Sequence, residues 1–227
     1  PLKSLIANRL QIGAGSNPRR CDEYRHGHPR MQGIPGFRPR PMIATKDPMI
    51  RLFTALSIPF DVAETLARRQ TGLPGARWRP VEALHVTLAF YGDVDERRAD
   101  DLVAELGRAG SGGPFEITLK GVGAFGEVHR RQTLWAGVEP CERLTAMAGR
   151  CRAAAERAGL IMERRAYRPH VTLAYLKPHA DPARIAAWMA GHNLLHSPPI
   201  RIDHFGLWSS VLSDSGSHYT LEQAFPL

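Results

Sequence analysis

HVTLAF, residues His85 to Phe90, and HVTLAY, residues His170 to Tyr175, are one six-residue phrase written twice, 85 positions apart and changed only in the closing aromatic. Successive side chains of a β-strand point to opposite faces. His85, Thr87 and Ala89 are therefore expected on one face, with Val86, Leu88 and Phe90 on the other. His170, Thr172 and Ala174 against Val171, Leu173 and Tyr175 repeat the pattern. The apolar face suits packing against helices. The other presents an imidazole, a hydroxyl and a small residue that leaves room beside them. A single H-x-T in a chain of this length is close to a chance event, and strand threonines are favoured for their β-branched shape anyway. Two copies in one V-T-L-A-aromatic frame carry far more information.

The surroundings of the two phrases also match. RLFTALSI from Arg51 predicts a strand, and PFDVAETLARRQ a helix opened by Pro59 and Asp61. After the first H-x-T strand, DERRADDLVAELGRAG places Ala99, Leu102, Val103 and Leu106 on one helical face. FEITLKGVGAF supplies another strand. The order then restarts with TLWAGV as a strand and CERLTAMAGRCRAAAERAG as a helix with a Leu144, Met147, Cys151, Ala154 and Ala158 stripe ending at Gly159. DPARIAAWMAG follows the second phrase, with Asp181 as N-cap, Pro182 in first helical position and Gly191 past the end. PIRIDHFGLWSSVL and SHYTLEQAFPL complete the chain as strands. Each half reads strand, helix, H-x-T strand, helix, strand. The pattern predicts an α+β fold of two pseudo-symmetric lobes, with largely antiparallel sheets and outer helices around a central cleft.

Composition sets the frame. At 227 residues and 43% hydrophobic the chain can bury a sizeable core. Residues 1–48 hold nine basic and three acidic residues and seven of the 18 prolines, so +6 of the net charge of +8 lies there. Without helical or strand periodicity, that Pro-rich basic tail is expected to be disordered, leaving residues 49–227 as the folded domain of two similar lobes. No apolar run approaches the roughly 20 residues that cross a bilayer, and no secretory signal pattern opens the sequence, so no membrane role and a cytoplasmic location are expected. Cys21, Cys141 and Cys151 form no C-x-x-C pair and suggest neither a disulfide framework nor a thiolate zinc site. H-E-x-x-H is absent, and HGH at His26 to His28 lies in the tail, so no metal site is expected.

If the lobes face each other about a pseudo-twofold axis, two imidazoles and two hydroxyls converge. Such a cleft suits a phosphodiester. Histidine, with an unperturbed pKa of about 6.5, allows one ring of a pair to be neutral and the other protonated near neutral pH. The neutral ring can take a proton from attacking water while the protonated one supplies the departing alkoxide. Thr87 and Thr172 can donate to nonbridging phosphate oxygens, where negative charge must be held.

LHVTLAFYG and YRPHVTLAYL resemble the paired signatures of the 2H phosphoesterases, and their surroundings are similar to the RNA 2',3'-cyclic phosphodiesterases, historically called 2'-5' RNA ligases. RLFTALSIP resembles that family's opening strand, RWRPVEALHVTL its approach to the first motif, TLWAGV its middle strand and LWSSVLSDSGSHYTLEQAFPL its closing hairpin. The resemblance spans residues 49–227. It implies hydrolysis of RNA-terminal 2',3'-cyclic phosphate to a 2'-phosphomonoester, without metal or nucleotide cofactor. The partners implied are RNA or nucleotides bearing such ends, and no obligate protein partner is inferred. His85 is assigned as the acid that protonates the 3' oxygen and His170 as the base, roles that pseudosymmetry allows to be exchanged. One departure stands out: some relatives carry an arginine five residues after the second histidine, where this chain has Tyr175.

Single-stranded RNA is commonly held by stacking and by cationic contacts. Phe53, Trp78, Arg79 and Phe125 are accordingly candidates to line the cleft, with Arg51, Arg130 and Arg131 as candidate phosphate contacts; core packing competes for Phe53, and solvation for the loop arginines. The remaining histidines beyond the tail sit in loops or strand ends without repeated context and need no chemical role. Two further functions fit the same cleft: an RNA-binding module with little or no catalysis, and RNA end joining, in which a 5'-hydroxyl replaces water.

Overall fold

The computed structural model describes residues 49–127, 130, 132–213 and 216–227. The basic tail and its HGH motif lie outside the described residues. The helices are α1 (Phe60–Ala67), α2 (Glu96–Leu106), α3 (Glu142–Arg157) and α4 (Pro182–His192). The strands of the first half are β1 (Met49–Ser57), β2 (Ala76–Trp78), β3 (His85–Asp95), β4 (Phe115–Ile117) and β5 (Leu119–Phe125). Those of the second are β6 (Gln132–Val138), β7 (His170–Leu176), β8 (Ile200–Ile202), β9 (His204–Ser213) and β10 (Gly216–Pro226).

The sheets of the two halves are joined into one. Its order is β10-β9-β1-β3-β7-β6-β5, with β2 added along β7 and every pairing antiparallel. The H-x-T strands β3 and β7 are thus neighbours at its centre, Val86 opposite Val171. Flanking them, β1 and β6 occupy equivalent places, as the repeated order of elements predicts. The closing hairpin does not extend the half that precedes it in sequence. β9 instead pairs with the outer edge of β1 between Leu52 and Ala55, where unpaired backbone groups would otherwise stand. β4 leaves the run that the FEITLKGVGAF pattern suggested and forms a small separate sheet with β8.

Local signals account for the helices. Asp95 accepts a hydrogen bond from Arg98 N at 3.0 Å and Asp181 one from Ala183 N at 2.9 Å, each satisfying a donor that the first helical turn leaves open. Leu144, Met147, Cys151 and Ala154 of α3 are completely buried, and α3 packs on β3 and α2; burying each large apolar side chain contributes roughly 1.5–3 kcal/mol. Gly159 ends that helix region at φ 78°, a left-handed conformation glycine adopts without strain. Gly191 does not stop α4. The helix continues to His192, whose Nδ1–H donates to Trp188 O at 2.7 Å while its ring stacks on the indole at 4.4 Å.

Strict alternation fails at the same point of both phrases. Thr87 pairs with Ala55 and Ala89 with Thr54, so Leu88 is an extra residue in β3. Thr172 pairs with Trp135 and Ala174 with Leu134, so Leu173 is the extra residue in β7. A bulge sets two residues against one and slips the alternation by one place. Leu88 and Ala89, like Leu173 and Ala174, are therefore both buried, and the closing aromatics return to the histidine face. Phe90 is 56% exposed and Tyr175 half-buried, not packed with Val86 and Val171 as period-two reading expects.

Under the sheet, the Thr54 hydroxyl and the Tyr91 hydroxyl share a buried hydrogen bond of 2.9 Å. Burial pushes the Tyr91 pKa well above its ordinary value. Thr54→Val preserves shape but strands the phenol. A loss of about 1–3 kcal/mol is expected, measured as a lowered denaturant midpoint with unchanged slope.

Candidate functional site

The first histidine enters through a 3-10 turn, Val81–Ala83, and the second through the extended segment before β7. Both chains then do the same thing locally. His85 Nδ1 lies 2.9 Å from Ala83 O and His170 Nδ1 lies 2.6 Å from Arg168 O, each two residues back. A carbonyl only accepts, so Nδ1 carries the hydrogen in both rings and Nε2 is left as the working nitrogen.

Antiparallel pairing centred on Val86 and Val171 sets His85 beside Thr172 and Thr87 beside His170. The two histidines become diagonal neighbours, about 7–8 Å apart at the backbone in a regular sheet. A charge on His170 disfavours one on His85, as expected of rings at that separation. All four side chains are half-buried. A groove of about 1390 Å³ is lined by Thr87, Phe90, Phe125, Tyr167, His170 and Tyr175 among others, so residues of both phrases share it. His85 lines a separate, smaller hollow of about 130 Å³ with Phe53, Phe60, Leu84, Trp208 and Tyr219.

Each imidazole has an aromatic wall. Phe53 and Tyr219 approach His85 at 5.1 and 5.2 Å between centroids, and Phe125 and Trp135 approach His170 at 4.9 and 6.4 Å. Trp135 lies across β5 where Gly123 offers no side chain; a Cβ there would overlap the indole. The Tyr167 hydroxyl donates to Thr87 O at 3.1 Å, tying the segment before β7 to β3. The environment of His85 is the drier one. Burial lowers its pKa to about 4, partly opposed by the hydrogen bond to Ala83 and reinforced by the positive charges of Arg79 and His170.

Of the other candidates, the structure brings Phe53, Phe125 and Arg79 to this cluster. Arg79 is 5% exposed, with Cζ 5.1 Å from the Tyr219 ring centroid and 5.8 Å from that of Tyr175. Arg51 is engaged by Asp93 through two hydrogen bonds of 3.0 and 3.1 Å. Trp78 packs against Trp188 at 5.7 Å and against the core. Arg130 is exposed in the loop before β6, and Arg131 lies outside the described residues. Tyr219 and Trp135 were not singled out from the sequence, and Tyr175 was noted only as standing in an arginine's place. The doubled aromatic at the end of the phrase was a signal for Tyr175, hidden by the bulge; Tyr219 and Trp135 reach the histidines only through pairing of distant strands.

Cys151 is completely buried, which pushes its thiol up to about 12 and leaves it a packing residue. Among the described residues no helix is long and apolar enough to cross a membrane.

An antiparallel α+β fold with two H-x-T strands meeting at the sheet centre is that of the 2H phosphoesterases, and solved structures bear this out. The structure of TT0787 from Thermus thermophilus superposes with a TM-score of 0.62 at 25% identity, over 78% of this chain and 97% of that one. Escherichia coli LigT, complexed with 3'-AMP, shares the fold with a TM-score of 0.62 at 24% identity, over 79% and 98% of the two chains. The chain belongs to the 2'-5' RNA ligase superfamily, whose family model matches residues 58–214. Among curated relatives, the RNA 2',3'-cyclic phosphodiesterase of Thermotoga maritima is 31% identical over 70% of this chain and 82% of its own. The Escherichia coli protein of the same name is 35% identical over 54% of this chain and 70% of its own.

The low pKa of His85 predicts an acid-labile fold. In the unfolded chain a histidine titrates near 6.5, so between pH 6.5 and about 4 the unfolded state binds more protons and stability falls as pH falls. His85→Asn is expected to flatten that part of the stability profile, measured by chemical denaturation at stepped pH. In the unaltered chain, the His85 resonances should titrate near pH 4.

Proposed function

We propose that the chain hydrolyses RNA-terminal 2',3'-cyclic phosphates to 2'-phosphomonoesters, using His85 and His170 as an acid-base pair without a metal ion. The observation that carries this reading is the antiparallel junction of β3 and β7, with both Nδ1 atoms anchored on backbone carbonyls, which leaves Nε2 of each ring for proton transfer. The names of the Thermotoga maritima and Escherichia coli relatives supply the substrate class.

In this mechanism water attacks phosphorus, and His170 Nε2 takes its proton as the new P–O bond forms. The P–O3' bond breaks, its electron pair stays on O3', and His85 Nε2–H supplies the proton that makes the 3'-hydroxyl. Thr87 and Thr172, one from each phrase, donate to the nonbridging oxygens on which charge accumulates. Strain in the five-membered ring lowers the demand on the site, so two protonic groups and fixed donors suffice. Because His85 is neutral near neutral pH when the site is empty, its acid role requires a proton that arrives with the anion. A phosphate charge beside the ring stabilises imidazolium and raises its pKa.

Two measurements test the reading. His85→Ala and His170→Ala should each lower turnover of a 2',3'-cyclic nucleotide by roughly 10²–10⁴-fold, with a 2'-nucleotide as product and full activity in chelator. Near-normal turnover by either variant, binding without product, or dependence on added metal contradicts it. Calorimetry of adenosine 2'-monophosphate binding near pH 7, in buffers of different ionisation enthalpy, should show proton uptake that disappears in His85→Asn. Absence of uptake would exchange the acid and base assignments.

A further inference from the structure

β2 lies beside β7 with Arg77 opposite Tyr175, so Arg77 and Arg79 are on the face to which the bulge returns Tyr175. The bulge also fixes Arg79 directly, because the carbonyl of the extra residue, Leu173, accepts from Arg79 N at 2.8 Å. Both guanidinium groups then lie over the Tyr175 ring, with Cζ–centroid distances of 5.5 and 5.8 Å. Arg77 is exposed, whereas Arg79 is 5% exposed and also sits 5.1 Å from the Tyr219 ring. Tyr219 in turn stands edge-on to His85 at 5.2 Å.

Arg79 is therefore a buried cation one ring away from the first histidine. Its Nη2 has no hydrogen-bond partner among the described residues, and no carboxylate pairs with it there. A guanidinium stays charged at any pH the protein meets, so burial cannot neutralise it. An uncompensated charge in such a place is costly unless an anion completes it. Aromatic faces offset part of that cost, but they leave the unpaired N–H unsatisfied. Its positive charge adds to the effect of burial in lowering the His85 pKa.

We propose that Arg79 holds the phosphate of the substrate in this chain, supplying from just beyond β2 the cation that position 175 does not carry. Tyr175 and Tyr219 form its sleeve. Tyr175 lines the large groove and Tyr219 the smaller hollow beside His85, so Arg79 reaches a nonbridging oxygen from between the two rings. The anion that reaches Arg79 cancels its effect on His85, so phosphate binding and proton uptake at His85 are coupled through this residue. The proposal rests on the phosphodiesterase reading for the identity of the anion, but not for its charge.

The test measures binding of adenosine 2'-monophosphate and of inorganic phosphate separately from turnover. Arg79→Gln should weaken adenosine 2'-monophosphate binding at least ~10-fold, the scale of a charge-assisted contact. Arg79→Lys should recover part of the affinity. The paired change Arg79→Val with Tyr175→Arg should restore binding by returning the cation to the other strand. A folded Arg79→Gln variant that binds within twofold of the unaltered chain would overturn the proposal. In the unaltered chain, the Arg79 Nε–H resonance should shift on titration with inorganic phosphate, saturating together with the His170 ring signals. An unmoved resonance at saturation overturns it even if the variants fail to fold. Turnover of cyclic nucleotides that ignores Arg79 refutes this proposal alone. Arg79-dependent phosphate binding without such turnover refutes the phosphodiesterase reading and leaves this one standing.

Discussion

A single antiparallel junction, Val86 against Val171, is the constraint on which the rest of the molecule depends. Each strand alone carries one histidine and one threonine on a face that could be ordinary surface. Only when β3 and β7 lie side by side do the two pairs become neighbours on one sheet. The sheet keeps them there because both strands are clamped from outside, β3 by β1 and β7 by β6, with fully buried Val86 and Val171 packed into the core beneath. The imidazoles ride on this frame and are oriented by backbone carbonyls two residues upstream. Their direction is thus set by main-chain geometry.

The paired bulges convert that frame into a cleft. Without them, Phe90 and Tyr175 would compete for core space with the valines. With them, two consecutive apolar residues sink into the core and the next side chain is re-aimed upward. On β7 the same irregularity frees the Leu173 carbonyl to bind Arg79 N. One local departure from regular pairing therefore places an aromatic ring, a buried guanidinium and the second histidine motif in register. Within that frame, the charged form of His85 is disfavoured by burial and by the neighbouring cation of Arg79.

Much of this was legible before folding. The H-x-T repeat named the four central side chains, and the matching order of elements around it announced an α+β duplication. Asp181 and Gly159 marked helix boundaries because capping acts over a few residues. Where local rules competed with packing, packing won: Gly191 is inside α4 because His192 is held by Trp188, and Arg51, a candidate contact for phosphate, is engaged by Asp93 across the β1–β3 pair. The hydrophobic period of two cannot anticipate a bulge, since the extra residue is defined only by what lies opposite it.

From its order of residues alone, the chain determined its periodic elements, the identity of the paired histidines and threonines, and the family resemblance that those motifs carry. These depend on spacing along the backbone, which sequence states directly. Tertiary structure decided that the two halves share one sheet, that the closing hairpin joins β1, and that Tyr219 and Trp135 wall the histidines. It also decided that Arg79 is buried with its Nη2 unsatisfied among the described residues. Those outcomes are contacts between residues tens of positions apart, and burial, pairing and the cost of an uncompensated charge come into being only when such residues meet.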